Sequence, residues 1–489
     1  MRVIATPSRS PLNRSHARHG VADAGGEGNM AGGVPSCQNT DKIDEPACPA
    51  AQGAGVTGFV RGYARLPLPA DLNWFWTIGA MLVAVLGLMV LTGLTLSLAY
   101  TPDAGLAFGS VEALERRLPS GWLLRAMHMT GASFCMAALY AHILRGLYYR
   151  SYLAPRRGIW LSGCTLLGLL MVTAFAGYVL PWGQMSYWGA DVAGKAVGSI
   201  PLAGPLAERI FLGGELPGTP TLHRMFTLHF SLAFLIVGVV GLHVALVHAR
   251  GSSSPSGRAV PARGFLPFHP YFTVRDILAV LVFALVFVLV MCFWPGLITE
   301  PANYRPANPL HTPTDIEPEW YFLPFYGMMQ VVPFKLGGVV LSGGAVALLF
   351  AVPWLDRGAD KVRDRQAGVP HPEVCNIATA PDAVPDTAAA DGPARTVLHG
   401  GDAGLGSDMG ESGQMAHGVW SVPGRMSGSA WGATLALAML MGAAVIAASA
   451  GRHHAQGGWL LAGRAAIAVY YAYFLVFLPL RGRAGKARP

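Results

Sequence analysis

Charge is what this sequence has least of. Of its 489 residues only 13% are Asp, Glu, Lys or Arg, while 52% are hydrophobic; a soluble protein carries about a quarter charged residues. That shortage excludes an ordinary water-facing globule. Cysteine is also scarce. Cys37, Cys48, Cys135, Cys164, Cys292 and Cys375 form no CxxC pair and no CxxCH, so neither a cysteine-ligated zinc nor a covalently attached c-type haem is indicated. Cys135, Cys164 and Cys292 fall inside apolar runs and read as small buried residues. No signal peptide is expected, because the first apolar run begins near residue 74, too far in and too long for one.

What is present is apolar sequence in blocks. Uncharged or nearly uncharged runs cover 75–99, 126–144, 158–180, 225–247, 277–298, 336–355, 426–451 and 459–480. Each approaches the roughly 20 residues that a helix needs to cross about 30 Å of hydrocarbon. The prediction is an all-α integral membrane protein with eight transmembrane helices. The seventh run is rich in Ala and Gly, and the eighth contains Arg464.

The formal charge of +8 points to no nucleic acid once the bases are located. They crowd the N-terminal segment (Arg61, Arg65), the loop after span two (Arg145, Arg150, Arg156, Arg157), the stretches after spans four and six, and the C-terminus. Lys and Arg favour cytoplasmic loops, so both termini are expected inside, and eight crossings satisfy that parity. Residues 1–60 and 357–425 are rich in Gly, Ala, Pro, Asp and Ser without periodicity. They read as a disordered N-terminal extension and a disordered cytoplasmic linker. Between and after them lie 61–255 with four helices, 256–356 with helices five and six, and 426–489 with helices seven and eight and a basic tail.

Span two carries His128 and His142, and span four carries His229 and His243; each pair is fourteen residues apart. Fourteen residues are nearly four helical turns, which puts both members on one face about 21 Å apart. A single intramembrane histidine can be a packed, hydrogen-bonded residue, but one spacing repeated on two helices points to function. Spans two and four run the same way, so His128 and His229 share the outer level and His142 and His243 the inner. Two layers of paired neutral imidazoles suit two irons with no open position, and therefore electron transfer. Gly79 and Gly93 in span one and Gly163 and Gly177 in span three repeat the same spacing. Gly93 and Gly177 fall at the outer level, Gly79 and Gly163 at the inner, where glycine lets a backbone approach closely. Arg125 and Arg224 precede the outer histidines and Arg145 follows His142. They can meet haem propionates or equally snorkel to the interface.

Seven stretches carry a family resemblance: "GWLLRAMHMTGASF", "AHILRGLYYRSY", "GYVLPWGQMSYWGA", "FTLHFSLAF", "PFHPYFTVRDIL", "PANPLHTPTDIEPEWYFLPFY" and "AVYYAYFLVFLPLRG". With them the sequence strongly resembles cytochrome b of ubiquinol–cytochrome c oxidoreductase, respiratory complex III, over roughly 60–355 and 460–482. The resemblance implies an N-terminal four-helix bundle with two stacked b haems, ligated by His128/His229 and His142/His243. It implies quinol oxidation at an outer pocket, with protons released outside and the electrons divided. One goes to a Rieske iron–sulfur subunit and a c-type cytochrome; the other crosses by way of the two haems to reduce quinone at an inner pocket, a proton-translocating Q cycle. A ubiquinone-type quinone, membrane lipid, a dimeric complex and a bacterial inner membrane complete the expectation.

The loop "IEPEWYFLPFYG" lies between spans five and six, at the outer level, and "GYVLPWGQMSYWGA" leads into a second outer loop. On the family's pattern the two wall one pocket, with Glu319 accepting a quinol proton, Tyr326 as a second proton carrier, Pro318 fixing the turn, and Trp320, Phe325, Tyr178 and Gly189 beside the ring. His248, Ser252, Arg275 and Asp276 line the inner pocket on the same ground, His248 and Asp276 as proton carriers. Three positions depart from the family: Gln330 stands where an arginine is usual, and Ser253 and Ser254 where asparagines are. Other functions compatible with the histidines are a dihaem anchor of another quinone-linked dehydrogenase, a specialised paralogue, and a transporter with a histidine proton relay.

Overall fold

A computed structural model describes residues 56–256, 264–356 and 428–481. The linker expected at 357–425 lies outside them, as does the extension up to residue 55. In chain order the helices are α1 (Val56–Ala64), α2 (Ile78–Ser97), α3 (Ala107–Arg117), α4 (Gly121–Tyr148), α5 (Arg157–Val179), α6 (Gln184–Gly198), α7 (Gly204–Leu212), α8 (Thr219–Arg250), α9 (Thr273–Phe293), α10 (Leu323–Gln330), α11 (Lys335–Leu355), α12 (Gly428–Arg452) and α13 (Gly458–Ala472), which a π turn and Leu478–Arg481 continue. Two short strands, β1 (Pro67–Pro69) and β2 (Phe265–Pro267), pair antiparallel. They tie the approach to α2 to the approach to α9. α1 begins at Val56, inside the stretch expected to be a disordered extension.

Seven helices are long and apolar enough to cross a membrane: Trp74–Ser97, Arg157–Val179, Thr219–Arg250, Phe268–Phe293, Lys335–Leu355, Thr434–Arg452 and Gly458–Leu480. The eighth predicted crossing lies within α4. Its 28 residues reach about 42 Å, so length is not its shortfall. Arg125, Arg145, two histidines and several Gly, Ser and Thr lower its hydropathy. By length and composition the count among the described residues is therefore seven, not eight. The mass of exposed Leu, Val and Phe on α9, among them Leu281, Val282 and Leu285, is what lipid-facing helices show. This is an integral membrane protein. Cys135 and Cys164 are buried as expected, but Cys292 is exposed, because it falls on the outward face of α9.

Packing follows the small residues. α2 lies along α4, and α5 along α8, each glycine-bearing helix against a histidine-bearing one. Capping chemistry sets where these helices begin. Asn73 accepts from the Phe75 N–H at 3.1 Å just before α2, and Thr221 Oγ1 accepts from Gly218 N at 3.0 Å at the start of α8, where Pro220 needs no hydrogen bond. The main apolar core joins Met136, Leu139, Trp160 and Leu167 to Tyr321 and to Phe474, so the C-terminal helices close on the N-terminal ones.

One polar knot locks that closure. The Asp356 carboxylate, 1% exposed, accepts from Arg150 Nη2 at 2.7 Å, Arg150 Nε at 2.9 Å and the Tyr152 hydroxyl at 2.7 Å. Both carboxylate oxygens are satisfied, which is what a buried charge requires. Asp356→Ala leaves Arg150 and Tyr152 without their acceptor and is expected to cost about 3–5 kcal/mol, measured as loss of thermal stability in detergent. An unshifted melting temperature would show that the knot is not structural.

Candidate functional site

Each of the four histidines meets the glycine assigned to its level. A Cβ built on Gly93 would lie 3.0 Å from His128 Cε1, one on Gly177 2.6 Å from His229 Cε1, one on Gly163 3.4 Å from His243 Cε1 and one on Gly79 3.9 Å from His142 Cε1. Three rings are held by their Nδ1 atoms. His128 Nδ1 bonds Thr92 Oγ1 at 2.9 Å, His243 Nδ1 bonds Ser162 Oγ at 2.8 Å, and His229 Nδ1 bonds the Thr173 carbonyl at 2.8 Å. His142 Nδ1 is buried without a partner. A hydrogen bond at Nδ1 leaves Nε2 as the ring nitrogen available to a metal, and such outer bonds orient metal-binding imidazoles.

The His128 and His229 rings stand 6.1 Å apart, centroid to centroid, at 74°. Two metal–nitrogen bonds of about 2 Å each, plus the reach of each ring, would fit that gap, so the pair could hold one iron. His142 and His243 lie within electrostatic range of each other and of Arg145. Among the described residues no cluster of three or more His, Cys, Asp or Glu could hold a metal, so paired histidines are the donor set on offer. The arginines behave differently from one another. Arg125 is already paired with Glu115 at 2.7 Å and lies over the Tyr304 ring at 5.0 Å. Arg224 donates to the Pro220 carbonyl. Arg145 stacks on Trp76 at 4.7 Å and leaves a buried Nε unpartnered.

At the His128–His229 end, the loop between α9 and α10 is clasped by the start of α6. Gln184 N donates to the Arg305 carbonyl at 2.9 Å, Ala307 N to the Trp182 carbonyl at 3.2 Å, and Asn308 N to Gln184 Oε1 at 2.7 Å. Buried Asn303 takes Ser186 N at 2.9 Å and Ser186 Oγ at 3.0 Å on its Oδ1; Ser186 Oγ also reaches the Tyr178 carbonyl at 2.6 Å. Gly183 is required here, since a Cβ would overlap Asn303. The clasp brings Tyr178, Glu300 and Glu319 within electrostatic range of one another. A Cβ at Gly189 would touch Tyr178 at 4.0 Å. Trp320 Nε1 donates to Ser133 Oγ at 3.3 Å, and Tyr321, 3% exposed, takes the Tyr140 hydroxyl on its carbonyl at 2.7 Å. Burial first, and then the like charge of Glu300, push the Glu319 carboxyl up to about 7.

Not every expected residue joins this group. Phe325 packs away from it, against Met328, Val331 and Ala345, because its position on α10 faces α11. Pro318 is half-buried beside Glu319. Glu300, Asn303 and Tyr321 were not singled out from the sequence; they stand in "EPANY" and "EWY", and no spacing marks their roles.

The opposite end gathers His248 and Asp276 around Tyr63 on α1. The His248 and Tyr63 rings are 5.2 Å apart, and Tyr63 senses the Asp276 charge. Arg275 Nη1 donates to the Leu72 carbonyl at 2.5 Å and stacks over Phe272 at 4.9 Å. Ser252 contributes its backbone carbonyl, which accepts from Arg156 Nη2 at 3.1 Å. Ser253 Oγ bonds Ser151 Oγ at 3.2 Å, and Ser254 bonds Asp71. Tyr63 was missed, since it lies beside a segment read as an extension.

Comparisons with known proteins show the family. The family described as "Cytochrome b/b6/petB" matches residues 63–251, and "Cytochrome b(C-terminal)/b6/petD" matches 306–374. Cytochrome b of Rickettsia conorii is 45% identical over 309 residues, covering 63% of this chain and 77% of that protein. Cytochrome b of Rhodospirillum rubrum is 45% identical over 300 residues, covering 61% and 73%. A chain of a solved "Hyperthermophilic respiratory Complex III" superposes with a TM-score of 0.69 at 26% identity, over 88% of this chain and 96% of that one. The class is a haem-binding electron-transport protein of the membrane. The chain belongs to the cytochrome b family, the core subunit of complex III-type quinol–cytochrome c oxidoreductases, and that family binds b-type haem.

The glycine contacts are graded, and so are the expected effects of filling them. Gly177→Ala sets a methyl at 2.6 Å from His229 Cε1 and is expected to displace the ring and remove part of the b-haem absorbance. Gly79→Ala meets His142 at 3.9 Å, ordinary van der Waals contact, and is expected to leave the spectrum unchanged. Equal spectra for both variants would show that the glycines serve helix packing alone.

Proposed function

We propose that this chain oxidises quinol at a pocket between Tyr178 and Glu319 and reduces quinone at a second pocket around His248 and Asp276. The observation that carries the reading is the clasp between Gln184–Ser186 and Asn303–Asn308. It builds a titratable carboxylate into the end of the protein where His128 faces His229. On this reading α4 is the eighth crossing, α2, α4, α5 and α8 form the bundle, and His128/His229 and His142/His243 hold two b haems. When bound, the haems supply one-electron transfer across the membrane. The termini lie in the cytoplasm of a bacterial cell. The assembly includes a Rieske subunit and a c-type cytochrome, and the complex is a dimer using a ubiquinone-type quinone.

The chain's own residues do the proton work. Glu319 accepts a proton from the quinol hydroxyl as its carboxylate. Tyr178 and Trp320 bound the ring and exclude water, and burial with the nearby Glu300 charge keeps the Glu319 carboxyl within reach of neutral pH. At the other pocket His248 and Asp276 deliver protons to quinone, with Tyr63 between them and Arg275 held by Leu72. A dihaem anchor for another dehydrogenase has no need of the Glu319 loop.

Two measurements test this. The proton-accepting form of Glu319 grows as pH rises through about 7, so wild-type quinol oxidation should rise from about pH 6 to about pH 8. Glu319→Gln should slow it by about a hundredfold, the lower end of the range for a positioned base, and flatten that rise, with haem absorbance intact. An unchanged rate and profile would assign the proton to another route. For the second pocket, Asp276→Asn and His248→Leu are expected to leave quinol-driven haem reduction intact while reoxidation by quinone slows, so reduced-haem absorbance persists. Wild-type reoxidation in both variants would make them helix-end polar residues only.

A further inference from the structure

The turn between α12 and α13 grips the loop that carries Glu319. His454 Nε2 lies 2.9 Å from Asp315 Oδ1, and Arg452 Nε lies 3.3 Å from Glu317 Oε2. Asp315 and Glu317 stand four and two residues before Glu319. On its other side, His454 Nδ1 is 3.4 Å from Gln330 Nε2, at the end of α10, and Gln330 also hydrogen-bonds the Tyr326 side chain. His453 stacks on Trp459 at 4.7 Å and 17°, fixing the turn to the start of α13. One imidazole thus bridges the stretch before Glu319 to the helix after it.

The chemistry of the bridge is specific. A neutral imidazole protonated on Nε2 donates to Asp315 and accepts from the Gln330 amide at once. The turn is held under strain to present it: His454 and Ala455 have φ of 50° and 47°, left-handed values that cost non-glycine residues energy and persist only where contacts over-determine them. The Asp315 side chain is 67% exposed and that of Arg452 62%, and ion pairs this exposed contribute little stability. Their effect is geometric. The chain from 307 to 321 has no helix or strand, so its path is set by such contacts.

We propose that His454 is a positioning residue for the quinol-oxidising pocket: through Asp315 and Gln330 it fixes the Glu319 segment against the Tyr326 end of α10. The inference rests on the reading of Glu319 as the quinol's proton acceptor. A quinol ring fitted between the two segments is bound less well when the bridge is cut, while a ring once bound still loses its proton to the same carboxylate.

The test is steady-state quinol oxidation by the assembled membrane complex, with haem absorbance as the control for folding. His454→Ala and Asp315→Ala should each raise KM for quinol by about three- to tenfold with kcat within about twofold, the pattern of lost binding rather than lost chemistry. His454→Gln, whose amide can both donate and accept, should restore KM. Asp315→Ala alters only an exposed side chain, so it carries the test if His454→Ala fails to assemble. Wild-type KM in the alanine variants, or a glutamine variant as impaired as alanine, overturns the inference. Glu319→Gln is measured in parallel. A slowed Glu319→Gln beside unaffected alanine variants overturns the positioning role alone, and an unaffected Glu319→Gln overturns the reading of Glu319 on which it rests.

Discussion

Everything in the N-terminal half depends on how closely two glycine-bearing helices approach two histidine rings. At Gly177 there is room for a hydrogen and not for a methyl beside His229, and at Gly93 a methyl would crowd His128. That approach explains why α2 pairs with α4 and α5 with α8. It also explains why the rings cannot rotate freely: each is bounded by a backbone on one side and, for three of them, tied by Nδ1 on another. A larger residue at either glycine would separate the helices or turn the ring, and both would spoil a paired-nitrogen site.

The second organising constraint is polar satisfaction inside an apolar protein. Backbone that leaves helical geometry near hydrocarbon must find its hydrogen bonds within the protein. The loop between α9 and α10 does so by exchanging bonds with the start of α6. Buried Asn303 and Gln184 act as the rivets: Asn303 accepts through Oδ1 and Gln184 through Oε1, while Gln184 Nε2 donates to the His311 carbonyl. The two loops cannot separate without leaving several buried groups unpaired, so the fold keeps Tyr178 and Glu319 close to one another.

Charge is rare in this chain and is spent at joints. Arg150 with Asp356 joins the turn after α4 to the end of α11. Arg125 with Glu115 joins α3 to α4, and Arg452 with Glu317 joins the C-terminal pair to the Glu319 loop. Arg464, within an apolar helix, gives its Nε to the Val331 carbonyl at 3.1 Å, the satisfaction that an intramembrane cation needs. Gln330 fits the same pattern. Its neutral amide meets the turn between α12 and α13 at His454 Nδ1, 3.4 Å away.

The sequence by itself determined what repeats and what is apolar. Helical periodicity converts a fourteen-residue spacing into two levels, so His128, His142, His229, His243 and their four glycines were legible before any coordinates. The apolar runs marked all eight spans, α4 among them, although two histidines and the flanking arginines leave α4 less apolar than the seven helices that pass on length and composition. The tertiary structure alone decided contacts without periodicity. No spacing relates Asn303 to Ser186, Tyr63 to His248, Asp356 to Arg150 or His454 to Asp315, since each pair is brought together by loops whose paths are set by distant packing. It also gave contacts that no spacing signals: Arg125 pairs with Glu115, and Phe325, expected beside the ring, packs against the α10–α11 core. Local rules fix the face of a helix on which a residue stands; only the assembled fold fixes what it meets there.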